Sequence, residues 1–251
     1  MPKISFELLR EHLEKAQQPV FFYDNDPDGF CSFVLLRRFL GRGKGVAVRT
    51  HPEIDTGYAR KVKELGADYV FVLDRPFLGE GFVKEIGEMN VPLVWIDHHD
   101  VNSPDYNVHV FNPSKEGSNA PVTYWCYKLT GRVEDMWIAM MGCVSDHYLP
   151  DFVNEFKKSH ADIWGNVHVP FDAYYNTEIG ALARSISFGL KDSTSHVVYL
   201  QNFMIECTSP SLMRAELEST SSFARKFKEI SVKYKELLGQ ARRHAGKKIL
   251  F

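Results

Sequence analysis

Four short apolar runs limit what this chain can fold into. Val20-Phe-Phe-Tyr23, Gly45 to Arg49, Tyr69-Val-Phe-Val-Leu73 and Pro92-Leu-Val-Trp-Ile96 start about every 25 residues. Helical periodicity fills the intervals, over Phe30 to Leu40, Asp55 to Leu65 and Glu80 to Glu88. Strands alternating with helices at this spacing predict βα units and a parallel sheet. The runs are apolar throughout, as strands covered on both faces are. Val108-His-Val-Phe111 reads as a fifth strand. The predicted class is α/β: a doubly wound, mostly parallel five-stranded sheet with a helical C-terminal extension.

The flanks follow from local signals. Ile4 to Gln17 has an apolar stripe at helical spacing, stopped by Pro19. Ala120 to Leu129 and Glu134 to Val144 read as helices. Residues 150–171, between Pro150 and Pro170, have a mixed pattern. Beyond them the period is helical: Tyr174 to Leu190 as one helix, and a second capped by Ser193 and running to about Glu206. Ser209-Pro210 opens a long segment to about His244, and Lys247 to Phe251 reads as the start of another strand. The predicted division is an α/β domain over 1–150 and a connecting segment plus helical region over 151–251.

Composition removes several function classes. With 251 residues, 44% of them hydrophobic, the chain can bury a large core. Its 30 basic and 32 acidic residues give a net charge of -2, so any nucleic-acid face is local. Lys226, Lys228, Lys233, Lys235, Arg242 and Arg243 form the one strongly basic stretch, either a solvated helix face or a surface that meets phosphates. Cys31, Cys126, Cys143 and Cys207 are too far apart for a zinc knuckle or a redox pair. They fit reduced core thiols in a cytoplasmic protein. No apolar run approaches the ~20 residues of a membrane span.

The chemistry sits where strands end. In doubly wound sheets, ligands bind outside the carboxyl ends of the strands. The first run is followed by Asp24-Asn-Asp26-Pro-Asp28-Gly29, the third by Asp74, and the fourth by Asp97-His98-His99-Asp100. A fourth contribution, Ser145-Asp146-His147, ends an apolar helix. A carboxylate there opposes the helix dipole, and an adjacent cation would resolve the conflict. Adjacent histidines alone carry little, but several element ends delivering metal-type ligands to one edge carry much more. Asp24, Asp26, Asp28, Asp74 and Asp146 with His98 and His99 would over-supply one ion. They suit two ions roughly 3.5–4 Å apart that share a carboxylate. Mixed carboxylate and imidazole donors favour Mn²⁺, with Mg²⁺ as the alternative. The expected reaction is hydrolysis of a phosphorus–oxygen bond.

These stretches, in this order, resemble the four motifs of the DHH phosphoesterase family. They stand here as Asp24-Asn-Asp-Pro-Asp-Gly29, Leu73-Asp74, Asp97-His-His99 and Gly142-Cys-Val-Ser-Asp146, and cover residues 20 to about 150. The family includes RecJ exonucleases, nanoRNA and cyclic-dinucleotide phosphodiesterases and family II inorganic pyrophosphatases. The resemblance implies that Asp26 and Asp74 hold one ion, and that Asp28, Asp74, His98 and Asp146 hold the other. Asp24 would be a ligand or the partner of one. His99 would contact the scissile phosphate and Asp97 would orient the histidine pair. Arg75 departs from the pattern, as either a contact to substrate phosphate or a structural ion pair. His147 would add a polar contact.

The family's C-terminal substrate-binding domain, of the DHHA1 type with a glycine-rich motif, is not visible. The leading expectation is a RecJ-like, Mn²⁺-dependent exonuclease or oligonucleotide phosphodiesterase, of the short type found in archaea. Its partners would be single-stranded DNA, RNA or oligonucleotides, and a replication or repair protein. Tyr58, Tyr148 and Phe152 are candidate stacking platforms, with core packing as the competing role. The alternatives are hydrolysis of a small nucleotide or pyrophosphate, and an inactive scaffold in a replication complex.

Overall fold

In the computed structural model, which describes residues 3–102 and 104–244, strand and helix alternate through the first half of the chain. Helix α1 (Phe6–Lys15) leads into β1 (Pro19–Asp24), α2 (Pro27–Leu40), β2 (Lys44–Val48) and the short β3 (Glu53–Ile54). Then come α3 (Thr56–Glu64), β4 (Tyr69–Leu73), β5 (Phe77–Leu78), α4 (Glu80–Glu88), β6 (Leu93–Ile96) and β7 (His109–Phe111). The rest is helical: α5 (Val122–Thr130), α6 (Met136–Ser145), α7 (Val153–Ser159), α8 (Ala161–Trp164) and α9 (Pro170–Asn176). They are followed by α10 (Glu178–Gly189), α11 (Thr194–Glu206), α12 (Pro210–Glu218) and α13 (Ser222–His244). Among the described residues, no helix is long and apolar enough to cross a membrane.

The central sheet has five strands in the order β2-β1-β4-β6-β7, and every neighbouring pair is parallel. Strands β3 and β5 pair separately, also in parallel. That second sheet escapes the sequence, since strands of two residues have no period. Both faces of the main sheet are covered. Phe21, Tyr23, Phe71, Leu73, Val94 and Ile96 share a core with α2, α5 and α6. Val20, Phe22, Val70, Val72 and Trp95 pack with Val62 of α3 and Phe82 and Ile86 of α4. Successive strand residues point to opposite faces, so the inner strands β1, β4 and β6 must be apolar on both. Each buried Phe or Leu contributes about 1.5–3 kcal/mol.

The helical region shares the first of these cores. Ile179, Leu182 and Ile186 of α10, and Val197, Leu200 and Met204 of α11, join the cluster that holds α2 and α6. Buried Arg38 of α2 ties the parts together. It pairs with Asp135 at 2.8 Å and donates to the carbonyls of Ile205 (2.8 Å) and Cys207 (2.9 Å). Carbonyls at the end of a helix such as α11 lack intrahelical donors, and the guanidinium satisfies them.

Two segments expected as continuous helices are broken. Between Tyr174 and Leu190, Thr177 is extended (φ -117°, ψ 164°) and caps α10 by accepting from the Gly180 N–H. A Cβ on Gly180 would lie 2.1 Å from the Tyr174 carbonyl oxygen, so only glycine admits this tight junction. The apolar period runs through the break and conceals it. The segment opened by Pro210 stops at Glu218 and restarts at Ser222. There the Ser219-Thr-Ser-Ser222 cluster is itself a loop signal. The mixed stretch 150–171 contains α7 and α8 and the start of α9. The expected strand at Lys247 to Phe251 lies outside the described residues.

Candidate metal centre

Register builds the site. Tyr23 pairs with Leu73, and Leu73 with Ile96. Asp24, Asp74 and Asp97, which follow them, therefore stand in a row across three adjacent strand ends. Neighbouring strands lie about 4.7–4.9 Å apart, a spacing that lets carboxylates converge. The row spans β1 and β4, from whose carboxyl ends the chain leaves in opposite directions, from β1 toward β2 and from β4 toward β6. This is the topological switch point at which α/β sheets take ligands. Asp74 turns the chain there with a left-handed backbone (φ 59°), uncommon for a residue other than glycine. Its N–H donates to the Ile96 carbonyl at 2.9 Å.

The acidic loop is fixed by its own helix. Asp26 caps α2 by accepting from the Gly29 N–H at 2.9 Å, with Pro27 at the first helical position. A Cβ on Gly29 would stand 2.7 Å from both the nitrogen and the oxygen of Asp24, so glycine lets α2 start directly above the strand end. Asp28 is fully buried in the first turn. It accepts the N–H groups of Val122 (2.9 Å) and Thr123 (2.7 Å), at the positive end of the α5 dipole. A Cβ on Gly142 would lie 2.2 Å from Thr123 Oγ1. The missing side chain lets α6 approach α5 closely and bring Asp146 toward Asp28.

The histidines divide the space. His98 Nε2 lies 3.3 Å from Asp74 Oδ1, 3.3 Å from Asp146 Oδ2 and 3.8 Å from Asp28 Oδ2. His99 donates from Nδ1 to Asp97 Oδ1 at 2.7 Å. Asn112 Nδ2 donates to Asp97 Oδ2 (3.3 Å) and to the His99 carbonyl (3.0 Å). The orienting contacts of Asp97 thus go to the second histidine, where the sequence suggests the pair. A cavity of about 220 Å³, lined by Trp95, Asp97, His99, Asn112 and Lys115 among others, opens beside His99. Among the described residues, three groups bring ligand atoms within 4.8 Å of one another: Asp24/Asp26/Asp74, Asp28/His98/Asp146 and Asp74/His98/His99.

The electrostatics call for a cation. Burial, then Asp28 and Asp24, push the Asp26 carboxyl up to about 7. Burial, then the charges of Asp28, Asp26 and Asp24, push Asp146 up to about 9. Asp28 and Asp74 are raised as well, chiefly by burial. Burial lowers the His98 imidazole, whereas the hydrogen bond to Asp97 raises His99. Asp74 Oδ1 is buried and accepts no hydrogen bond. Repelling carboxylates with an orphan oxygen and imidazole nitrogens make a donor set that fits a divalent cation.

No protein-family model and no curated protein matches the chain. Solved structures do. Exonuclease RecJ bound to manganese superposes with a TM-score of 0.53 at 16% identity, over 85% of this chain and 65% of that one. The DHH domain of a member of a family of ribosomal proteins superposes with a TM-score of 0.64 at 14% identity, over 95% of this chain and 62% of that one. The chain has the DHH/RecJ-like fold. It spans less than two thirds of either of those chains.

Around this DHH/RecJ-like core, other expected residues take definite places. Arg75 is buried; its guanidinium pairs with Asp24 and donates to the carbonyls of Thr50 (2.8 Å) and Pro52 (3.0 Å). That ion pair is one of the two roles open to Arg75. The three candidate platforms are each engaged within the fold, Tyr58 and Tyr148 remaining half-buried. Tyr58 accepts from the Arg49 N–H at 2.8 Å, Phe152 is buried, and Tyr148 sits edge-on to Tyr124. On α13, Lys226 and Lys233 pair with Glu229 at 3.0 and 2.7 Å, and Lys228 donates to the carbonyls that end α12. Asn112 and the Val122 and Thr123 amides carry no mark in the sequence, because backbone donors and a lone asparagine have no motif.

Proposed function

We propose that the chain is a divalent-metal-dependent phosphodiesterase that hydrolyses single-stranded nucleic acid or short oligonucleotides with two cations, as a RecJ-like exonuclease. The observation that carries this reading is the place of Asp74. It belongs to the Asp24/Asp26/Asp74 group and lies 3.3 Å from His98 of the Asp28/His98/Asp146 group. A carboxylate between two ligand groups is what a shared, bridging ligand requires. In this reading Asp26 and Asp74 hold one ion, with Asp24 beside them. Asp28, Asp74, His98 and Asp146 hold the other. Mn²⁺ is the favoured metal, with Mg²⁺ as the alternative, and the likeness to RecJ bound to manganese supports that choice. Bound there, divalent ions supply Lewis acidity toward a phosphate and an attacking water.

The chain's own groups do the rest. Asp97 holds the Nδ1 proton of His99 and favours the protonated ring. Nε2 then presents a proton to a phosphate oxygen. Asn112 fixes Asp97, and Arg75 pairs with the Asp24 carboxylate and would hold it in place beside an ion.

A substrate series run with Mn²⁺ tests the reading: pyrophosphate, a dinucleotide, and end-labelled single-stranded DNA and RNA. Oligonucleotides should be shortened, and chelation or Asp74→Ala should abolish it. Turnover of pyrophosphate alone would replace this reading with the small-substrate one. Turnover of none would leave the scaffold.

A further inference from the structure

The chain leaves the acidic cluster directly into a group of exposed rings. Asp146 ends α6, and His147 after it takes a left-handed backbone (φ 53°). Its imidazole lies against three rings of α9: Phe171 at 5.8 Å, Tyr174 at 5.6 Å and Tyr175 at 6.1 Å between centroids. Phe171 and Tyr175 are one helical turn apart, with centroids 4.5 Å from each other. They are also open to solvent, Phe171 by 60% and Tyr175 by 38%. Single exposed apolar residues are ordinary, but a contiguous aromatic face marks a binding surface.

Two kinds of group flank that face. One is the acidic cluster, one residue away through His147. The other is cationic: the Arg184 guanidinium, which donates to the Tyr174 carbonyl, stands 5.5 Å from the Tyr174 ring and 5.9 Å from the Tyr175 ring. Lys191 reaches the acidic loop itself, donating to the Asn25 carbonyl at 3.1 Å. Rings to stack on, cations for backbone phosphates and a ligand cluster for one phosphate are the parts that grip single-stranded nucleic acid. An apolar protein partner would not call for the cations, and pyrophosphate would not call for the rings.

We propose that Phe171 and Tyr175, backed by His147, form a stacking platform for a base of an oligonucleotide whose scissile phosphate lies at the acidic cluster. The proposal rests on the phosphodiesterase reading of that cluster and narrows its substrates to those that carry a base.

The test separates binding from turnover. Fluorescence anisotropy compares a labelled short oligothymidylate with an abasic oligomer of the same length, with Ca²⁺ replacing Mn²⁺ to hold off cleavage. The Phe171→Ala/Tyr175→Ala variant should bind the thymidylate about tenfold more weakly or worse and leave the abasic oligomer unchanged. Phe171→Trp should retain tight binding. If the double variant does not fold, Phe171→Ala alone serves, because its ring is largely in solvent. Unchanged thymidylate affinity, an equal loss for both oligomers, or no binding by the unaltered protein would overturn the platform. Hydrolysis is then read with Mn²⁺. Base-dependent binding without cleavage would remove the phosphodiesterase reading and leave the platform. Cleavage and binding untouched by the substitutions would do the reverse.

Discussion

Asp97 gives the sharpest division of labour among single residues. It is buried and holds the His99 ring by Nδ1, and among the described residues it makes no hydrogen bond to another member of the three ligand groups. Asp97→Asn should keep the fold and metal binding but lower kcat by about 10- to 100-fold, the usual cost of losing a group that orients a reacting side chain. An equal rise in KM instead would mean that Asp97 acts on substrate binding. Asp26 and Asp146 give a pH prediction. Their folded values, about 7 and about 9, lie above the ordinary 3.8. In metal-free protein the folded state thus binds these protons more tightly than the unfolded state. The stability they contribute is full below about pH 4 and is lost as pH rises through 7 and then 9. Melting of chelator-treated protein should fall across that window, and Asp146→Asn should flatten its upper part. Added Mn²⁺ should reverse the fall, because it replaces the protons.

Among elements, the close approaches are the exposed points. Gly142→Ala drives a methyl into Thr123 Oγ1 and should part α6 from α5, costing about 1–3 kcal/mol. Because Thr123 holds Asp28 and α6 carries Asp146, Mn²⁺ affinity should fall with the melting temperature. A stable variant with unchanged affinity would show that this packing does not set the site. Arg38→Met should cost about 1–3 kcal/mol, since it leaves the last carbonyls of α11 without their donor and Asp135 with Arg132 alone. Denaturant melts measure this directly. The strands of the main sheet are readable because each centres on an apolar run bounded by polar residues. The break at Thr177 is not, because its cause is a steric fit between Gly180 and the Tyr174 carbonyl, which no periodicity reports.

Across the whole molecule, topology converts scattered acids into one site. Each ligand-bearing stretch can be seen in the sequence, because each ends an apolar run. That β1, β4 and β6 are neighbours cannot, because strand pairing joins residues far apart in the chain. Nor can the N-terminus of α5 be seen to hold Asp28, or the aromatic face of α9 to stand beside Asp146. Tyr58, Tyr148 and Phe152 stand out as platforms because they are aromatic, yet burial and packing are decided by the tertiary fold. The proposed function requires that the clustered acids hold two divalent ions with Asp74 between them. Equilibrium dialysis against Mn²⁺ with metal analysis tests it most directly. Two Mn²⁺ per chain, reduced in a folded Asp74→Ala variant that no longer hydrolyses oligonucleotides, is the predicted result. No bound Mn²⁺, or full binding and hydrolysis in Asp74→Ala, would contradict it.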